Sequence, residues 1–390
     1  MTWNSLQDQV AGMLGELRHI RHDLHRHPEL GFEEHRTQEV VQRWLSEHGY
    51  EPRACAGTGL VADLKAGEAT RLALRADLDA LPIHEMLDLP YRSVHDGVSH
   101  KCGHDGHTAI LMGVAALLAA GRDLVRGNVR LLFQPAEEGV RGGGAKVMIA
   151  DGAIDGVPEV YGLHNWPGFP KGELRVRGGP VLAQVDNFHL RLVGEGGHGG
   201  QPHRCKDPIV AAAQVVTALQ TVVARSVAPH ESVVVSVGSI QAGSANNVIP
   251  KTADLLGTIR TFDPAVRESV HGRVRDIAGS VGEAMGVKAE LDIQAEYPVL
   301  CNDDACAEIV RKVAVQRLGP DKVSDRGLPL AVSEDFSYFA EAVPAAYFFL
   351  GAGGPGDQTP GCHHPDFDFD DDLLGTGVRM FLGLCEARAS

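Results

Sequence analysis

A serine-nucleophile elbow of the form Gly-x-Ser-x-Gly, a redox Cys-x-x-Cys pair and a P-loop are all missing from the 390 residues. Their absence argues against serine-hydrolase, thioredoxin-like and nucleotide-binding chemistry. Basic charge is scarce too: 51 Asp and Glu face 36 Lys and Arg, for a formal charge of -15. An acidic chain has no general attraction for phosphate backbones or anionic lipid, so no nucleic-acid and no membrane partner is expected. The longest apolar stretch read from the sequence, Ala109 to Gly121, is too short to cross a bilayer. Met1 to Val10 contains Asp8 and no basic segment leading into an apolar core, which is unlike a secretory signal. Seven cysteines, at 55, 102, 205, 301, 306, 362 and 385, form no paired framework and suit a reducing, cytoplasmic setting.

A hydrophobic content of 44% supports packed cores, and the length suits two domains or one large one. Leu14 to Trp44 has helical periodicity, broken around Pro28 and Gly31. Apolar runs follow at Leu72 to Leu74, Val129 to Phe133 and Val160 to Leu163, with an apolar helix from Ala109 to Ala120 between the first two. Strands alternating with helices predict an α/β domain with a mostly parallel sheet. Each run hands over to a charged or histidine-bearing loop: Arg75 to Asp79, Gln134 to Glu138, and His164 to Pro167. Ligands gather beyond the carboxyl ends of such strands. The composition shifts near Gly178-Gly179-Pro180, and a βαββαβ order follows as far as Ile293, which is the ferredoxin-like pattern. The expected organisation is therefore one α/β domain from residues 1–183 and 295–390, with a smaller α+β domain inserted at 184–294.

Histidine is the surplus residue, with 19 copies. The densest cluster is His100-Lys101-Cys102-Gly103-His104-Asp105-Gly106-His107. Thiolate and imidazole are borderline-soft ligands, and a Cys-x-His spacing lets both reach one ion from a tight turn; the same residue types also cap helices. Glu137 and Glu138 stand at a predicted strand end, where one carboxylate can be a ligand and its neighbour a general base. His164 follows another strand, and His363-His364-Pro365 lies beyond the Ala345 to Leu350 strand. Asp77 suits a carboxylate behind a ligating histidine, although Asp77 and Asp79 also suit a turn before Pro82. In the inserted domain, His198 and His203 lie on a glycine-rich loop and could do acid–base or oxyanion work. Asn246, Asn247 and Arg260 could bind substrate, with Arg260 suited to a carboxylate or to a structural ion pair. Together these clusters point to metal-assisted hydrolysis.

Seven motifs resemble the dinuclear metallopeptidases of the aminoacylase and hippurate hydrolase family, in the right order over almost the whole chain. They are Arg75-Ala-Asp77-Leu-Asp-Ala-Leu-Pro82, Cys102-Gly-His104-Asp-Gly-His107, Gln134-Pro-Ala-Glu137-Glu138-Gly139, Gly197-His198-Gly199, Asn247-Val-Ile-Pro250, Ser333-Glu-Asp-Phe336 and His363-His364-Pro365. The resemblance implies a two-metal catalytic domain and an inserted lid domain that mediates homodimerisation. It implies Cys102, His104, Glu138, His164 and His363 as metal ligands, Glu137 as general base, and His198 as an oxyanion-stabilising lid residue. At the last ligand the family often has Leu-His-Asn-Pro or Leu-His-Ser-Pro, where this chain has Cys362-His363-His364-Pro365, so Cys362 and His364 are competing donors.

The expected activity is hydrolysis of N-acyl amino acids, hippurate-like or N-acetylated, to a carboxylic acid and a free amino acid. Two divalent ions, manganese or zinc with cobalt or nickel as other options, would serve it. A dipeptidase, a carboxypeptidase or an N-acetyl-diaminopimelate deacetylase would use the same residues. A metal-binding scaffold without activity is the reading from another class, and the retained Glu137 argues against it.

Overall fold

The computed structural model describes residues 1–138, 142–354 and 359–389 of the chain. Gly139 of the Glu137-Glu138-Gly139 motif, and residues 355–358 of the glycine-rich loop after Leu350, lie outside the described residues. The chain divides into two compact units, one built from Met1–Val181, Cys301–Leu328 and the stretch from Glu334 onward, the other from Leu182–Leu300 with Pro329–Ser333.

The first unit is built on a mixed sheet whose centre is parallel. Strand Thr70–Asp77 lies between Asn128–Gln134 and Val160–Pro170, parallel to both, and Ala345–Gly353 pairs parallel to Val160–Pro170 on the far side. Six consecutive residues of Thr70–Asp77, from Leu72 onward, are buried. That run is what a central strand covered on both faces requires. Helix His104–Ala120 is buried from His104 through Leu118, and an apolar surface on all sides marks a core helix. It packs against the helices Trp3–Arg26 and Asp372–Ala389. Two side chains from outside cap its backbone sideways: Trp44 Nε1 donates to the Met112 carbonyl and Tyr50 OH to the Ala115 carbonyl, each at 2.8 Å.

Three expectations need correction. Arg75 and Asp77 belong to the strand rather than to a following loop, because pairing with Asn128–Gln134 continues through Asp77 opposite Gln134. His164 likewise sits inside a strand, since Val160–Pro170 keeps its register with Ala345–Gly353 past His164, which lies opposite Phe349. The helix expected from Ala109 begins at His104, so the histidine cluster forms its first turn.

In the second unit, strands Gln184–Val193, Val234–Ala242, Thr252–Thr261 and Lys288–Ala295 form one antiparallel sheet. Val234–Ala242 is at one edge and Lys288–Ala295 at the other. Helices Pro208–Thr221 and Pro264–Met285 cover one face and enclose a core that includes Phe188, Leu190, Val215 and Val274. Each helix starts at an aspartate whose carboxylate accepts a backbone N–H, Asp207 and Asp263 respectively, and has proline at its first position. Asp186 is buried in the sheet and accepts from Arg267 and from His271, at 2.5 and 2.9 Å, tying the second helix down. The segment Pro208–Ser226 is longer than the apolar stretch expected to be the longest, and by length and composition it could cross a membrane. Here its inward residues Ala211, Ala212, Val215, Leu219 and Val222 join the unit's core.

Candidate metal centre

Gly103 takes φ +95, a conformation L side chains rarely adopt, and has Asn165 Oδ1 only 2.3 Å from where a Cβ would stand. The turn it permits sets Cys102 just before the helix and His104 at its start. Ligand atoms of Cys102, His104 and His164 lie within 4.8 Å of one another; so do those of Cys102, Glu138 and His363, and those of His104, Glu137 and Glu138. The groups overlap, so six sequence-predicted residues come together in the first unit. Cys102 Sγ is 3.3 Å from His164 Nε2, and His363 Nε2 is 2.7 Å from Glu138 Oε1. His364 is turned elsewhere, with its Nδ1 accepting from the Asp366 N–H at 3.1 Å. Cys362 Sγ lies 4.0 Å from the Cys102 carbonyl oxygen, beside the cluster.

The turn that carries Glu137 and Glu138 is held at several atoms. Ala136 has φ +51, and its N–H donates to the buried Glu34 at 2.8 Å while its carbonyl accepts from Gly144 at 2.8 Å. Burial pushes the Glu34 carboxyl up to about 7. A Cβ on Gly144 would stand 1.8 Å from the Pro135 carbonyl oxygen, so any side chain there must move the turn. Gly144→Ala should therefore cost about 1–3 kcal/mol, as overpacking does, and lower metal content. Denaturation and elemental analysis of the purified variant check both effects.

Behind the cluster lies a set of charged groups, most of which the sequence did not assign. Asp79, not Asp77, stands behind His104: His104 Nδ1 contacts the Asp79 carbonyl at 2.9 Å and its carboxylate at 3.2 Å. The other Asp79 oxygen accepts from the Glu138 N–H at 2.7 Å, so one carboxylate orients both segments. Asp77 instead bonds His107 Nδ1 at 2.7 Å and Arg75 at 2.5 Å, 3.8 Å from His104 Nε2. His107 Nε2 meets Asn165 Oδ1 at 2.7 Å, which leaves His107 fully partnered. Arg75 also reaches Gln134, Glu334 and Asp335. Glu137, Glu334 and Asp335 form a further acidic group within 4.8 Å.

The donor set fits a bound cation. His104 Nε2 is buried and has no hydrogen-bond partner among the described residues. Burial opposes a charge on His104, but Asp77, Asp79 and Glu138 hold it up at about 10. The Cys362 thiol, burial and Glu138 keep the Cys102 thiol well above its usual range. Burial and the nearby His107 drive His164 far down, leaving it a neutral imidazole. Burial together with Glu334 and Glu138 pushes Glu137 well above the usual carboxylate range. Protons thus stand where positive charge is wanted, and a metal ion displaces such protons on binding.

The remaining sequence-predicted residues belong to the second unit. His198 is exposed on a two-residue strand, Gly197–His198, paired with Val248–Ile249, and its Nδ1 accepts from the Gly200 N–H at 3.0 Å. Asn247 adjoins it, its carbonyl accepting from Gly199 at 2.7 Å. His203 is exposed on the short turn Pro202–Arg204. Arg260 is half-buried, bonds the Thr258 hydroxyl, and makes no ion pair among the described residues.

Comparison with known proteins agrees with this geometry. Residues 73–387 match the profile of Peptidase family M20/M25/M40. The chain is 42% identical over 377 residues to N-acetyl-L-cysteine deacetylase of Bacillus subtilis (strain 168), covering 95% of this chain and 86% of that one. It is 36% identical over 384 residues to hippurate hydrolase of Campylobacter jejuni, covering 97% and 98%. A crystal structure of the Bacillus subtilis YXEP protein, described as a dinuclear metal binding peptidase from the M20 family, matches with a TM-score of 0.83 and 34% identity over 97% of this chain and 98% of that one. A profile matched over most of the chain, relatives matched nearly end to end and a cluster of soft and acidic donors lead to one assignment: the chain belongs to peptidase family M20/M25/M40.

Proposed function

We propose that this protein hydrolyses the amide bond of N-acyl amino acids, using two divalent ions held by Cys102, His104, Glu138, His164 and His363. One observation carries the reading: a buried carboxylate, Glu137, adjoins a convergent set of thiol, imidazole and carboxylate donors. A site that only stored metal would have no use for that base. The hydrolase relatives support the same reaction class.

Bound divalent ions in such sites supply Lewis acidity, which lowers the pKa of water and polarises a carbonyl oxygen. Glu137 takes the proton of the attacking water and returns it to the amide nitrogen as the C–N bond breaks. A carboxyl raised above its ordinary range by burial and neighbouring carboxylates is a stronger proton acceptor than a free one, which suits it to take the proton of the attacking water. Asp79 orients His104 and Glu138, and Asp77 steadies the site through Arg75 and His107.

For the second unit the proposed role is a ferredoxin-like lid that also forms a homodimer. Its βαββαβ order and its open edge strand support this, as do exposed apolar residues such as Val210 and Ile240 at 48% and 52%. His198 would hydrogen-bond the developing oxyanion, from the same or the partner subunit. Asn247 and Arg260 would bind the substrate, Arg260 at its carboxylate. A reducing cytoplasm suits the chain, whose seven cysteines are all free thiols.

The test pairs elemental analysis with a substrate panel. The purified protein should carry two equivalents of manganese, zinc, cobalt or nickel and release the free amino acid from acetyl-, benzoyl- or indoleacetyl-amino acids. Turnover only of substrates bearing a free α-amine would move the reading to a dipeptidase. Turnover of nothing by the metal-loaded protein would leave the scaffold.

A further inference from the structure

We propose that Lys101 is a positioning residue of the metal centre, clamping the segment that carries Cys102 and His104 to the segment that carries His363. The inference rests on the ligand assignment proposed above. Lys101 is fully buried. Its Nζ donates to Glu85 Oε1 at 2.6 Å and to the Phe367 carbonyl at 2.8 Å, while its own carbonyl accepts from the His363 N–H at 2.6 Å. One residue thus holds the His363 segment at two points, four residues apart, and is itself bonded covalently to Cys102.

The clamp has a second strap. Arg21, also fully buried, donates to Asp105 at 2.9 Å, to Asp371 at 3.2 Å and to Asp368. Asp105 is next to His104, and Asp368 is next to Phe367. His25 closes the circuit with ring nitrogens 2.9 Å from both Asp105 and Glu85. Arg21, His25, Glu85 and Lys101 contribute no atom to the ligand groups, so their effect on a metal would run through the two segments they join.

His363 needs such a hold more than the other ligands do. Its side chain is 51% exposed, whereas Cys102, His104 and His164 are buried. Its backbone has φ +68, a conformation unfavourable for a non-glycine residue that persists only when the surroundings impose it. Besides the turn's own bonds, His364 N–H to the Gly361 carbonyl and Phe367 N–H to the His364 carbonyl, the contacts that hold it are the Lys101 carbonyl and, through Phe367, the Lys101 ammonium. Burying that ammonium is costly in itself, and a well-packed apolar side chain would often serve stability as well. The charge is explained by what it fixes.

Lys101→Met keeps the backbone carbonyl and removes the grip on Phe367. Capture of metal by a chelator should become about 10- to 100-fold faster, the range typical of residues that orient ligands. In the cobalt-loaded protein, the visible spectrum should shift in the direction that His363→Ala shifts it. The decisive comparison is a cycle: in a His363→Ala background, Lys101→Met should have no further effect on capture rate or spectrum, because it acts through that ligand. If His363→Ala loosens metal but Lys101→Met changes neither readout, or adds its full effect in the double variant, the clamp is overturned and the ligand assignment stands. If His363→Ala itself changes nothing, the ligand assignment fails and the clamp with it. Should Lys101→Met fold poorly, Glu85→Gln weakens the same grip and carries the same cycle.

Discussion

Replacing Glu137 by Gln should leave metal content unchanged and slow hydrolysis of N-acyl amino acids by at least about 10²–10⁴-fold, the usual contribution of an acid–base group. The substitution is nearly isosteric and removes only the ability to carry a proton. Because Glu138 contacts His363 and shares a donor group with Cys102 and His363, whereas Glu137 also groups with Glu334 and Asp335, Glu138→Gln should instead lower metal content along with activity. Elemental analysis and turnover measured on the same preparations separate the two. Wild-type rates in metal-loaded Glu137→Gln would remove Glu137 from the reaction.

The same variant makes a prediction about stability. Burial and the surrounding Glu334 and Glu138 raise the Glu137 carboxyl above its unfolded value. A carboxyl raised in the folded state stabilises below its unfolded pKa, and that contribution is lost as pH rises through the folded value. In metal-free protein, Glu137→Gln should therefore gain stability relative to wild type as pH increases, and the gain should vanish at acid pH. Equal pH profiles for the two proteins would show that Glu137 is not held in its neutral form.

How much of this was legible in the sequence depends on whether the signal was local. Cys102 and His104 stand out as a dense Cys-x-His cluster, and Glu137 and Glu138 as paired acids after an apolar run; the structure brings them together. Which aspartate serves His104 was not legible. Asp77 and Asp79 share a side in an alternating pattern, but the strand ends at Asp77, so Asp79 turns back to hydrogen-bond the imidazole Nδ1 while Asp77 stays 3.8 Å from Nε2. His164 read as a loop residue because apolar character stops at Leu163, whereas register with the neighbouring strand carries the pairing further. Arg21 lies inside the Leu14 to Trp44 stretch of helical periodicity and carries no local signal of its role. Its partner Asp105 is 84 residues away, and no periodicity encodes a contact at that range. His363 and His364 are the same residue type side by side, and only the fold separates them: His363, at φ +68, meets Glu138, while His364 accepts from the Asp366 N–H.

Arg75 shows what such a distant network is worth, and its removal should be the most destabilising single change in the first unit. The guanidinium is fully buried and meets Asp77 at 2.5 Å, Glu334 at 2.8 Å, Asp335 at 3.2 Å and the Gln134 amide oxygen at 2.7 Å. These bonds join a central strand, the end of its neighbour and the segment before Phe336. Arg75→Met leaves buried carboxylates without their cation, a defect that typically costs about 3–5 kcal/mol. Arg75→Lys keeps the charge but cannot reproduce the planar fork, so it should recover only part of the loss. All three tryptophans, Trp3, Trp44 and Trp166, belong to this unit, so their fluorescence follows its unfolding in urea. The deficit of Arg75→Met should shrink as pH falls, because protonation neutralises the stranded carboxylates, and should grow as pH rises. A variant within about 1 kcal/mol of wild type, the range of a surface ion pair, or a deficit independent of pH, would mean that the carboxylates find other partners and that Arg75 does not organise the floor of the site.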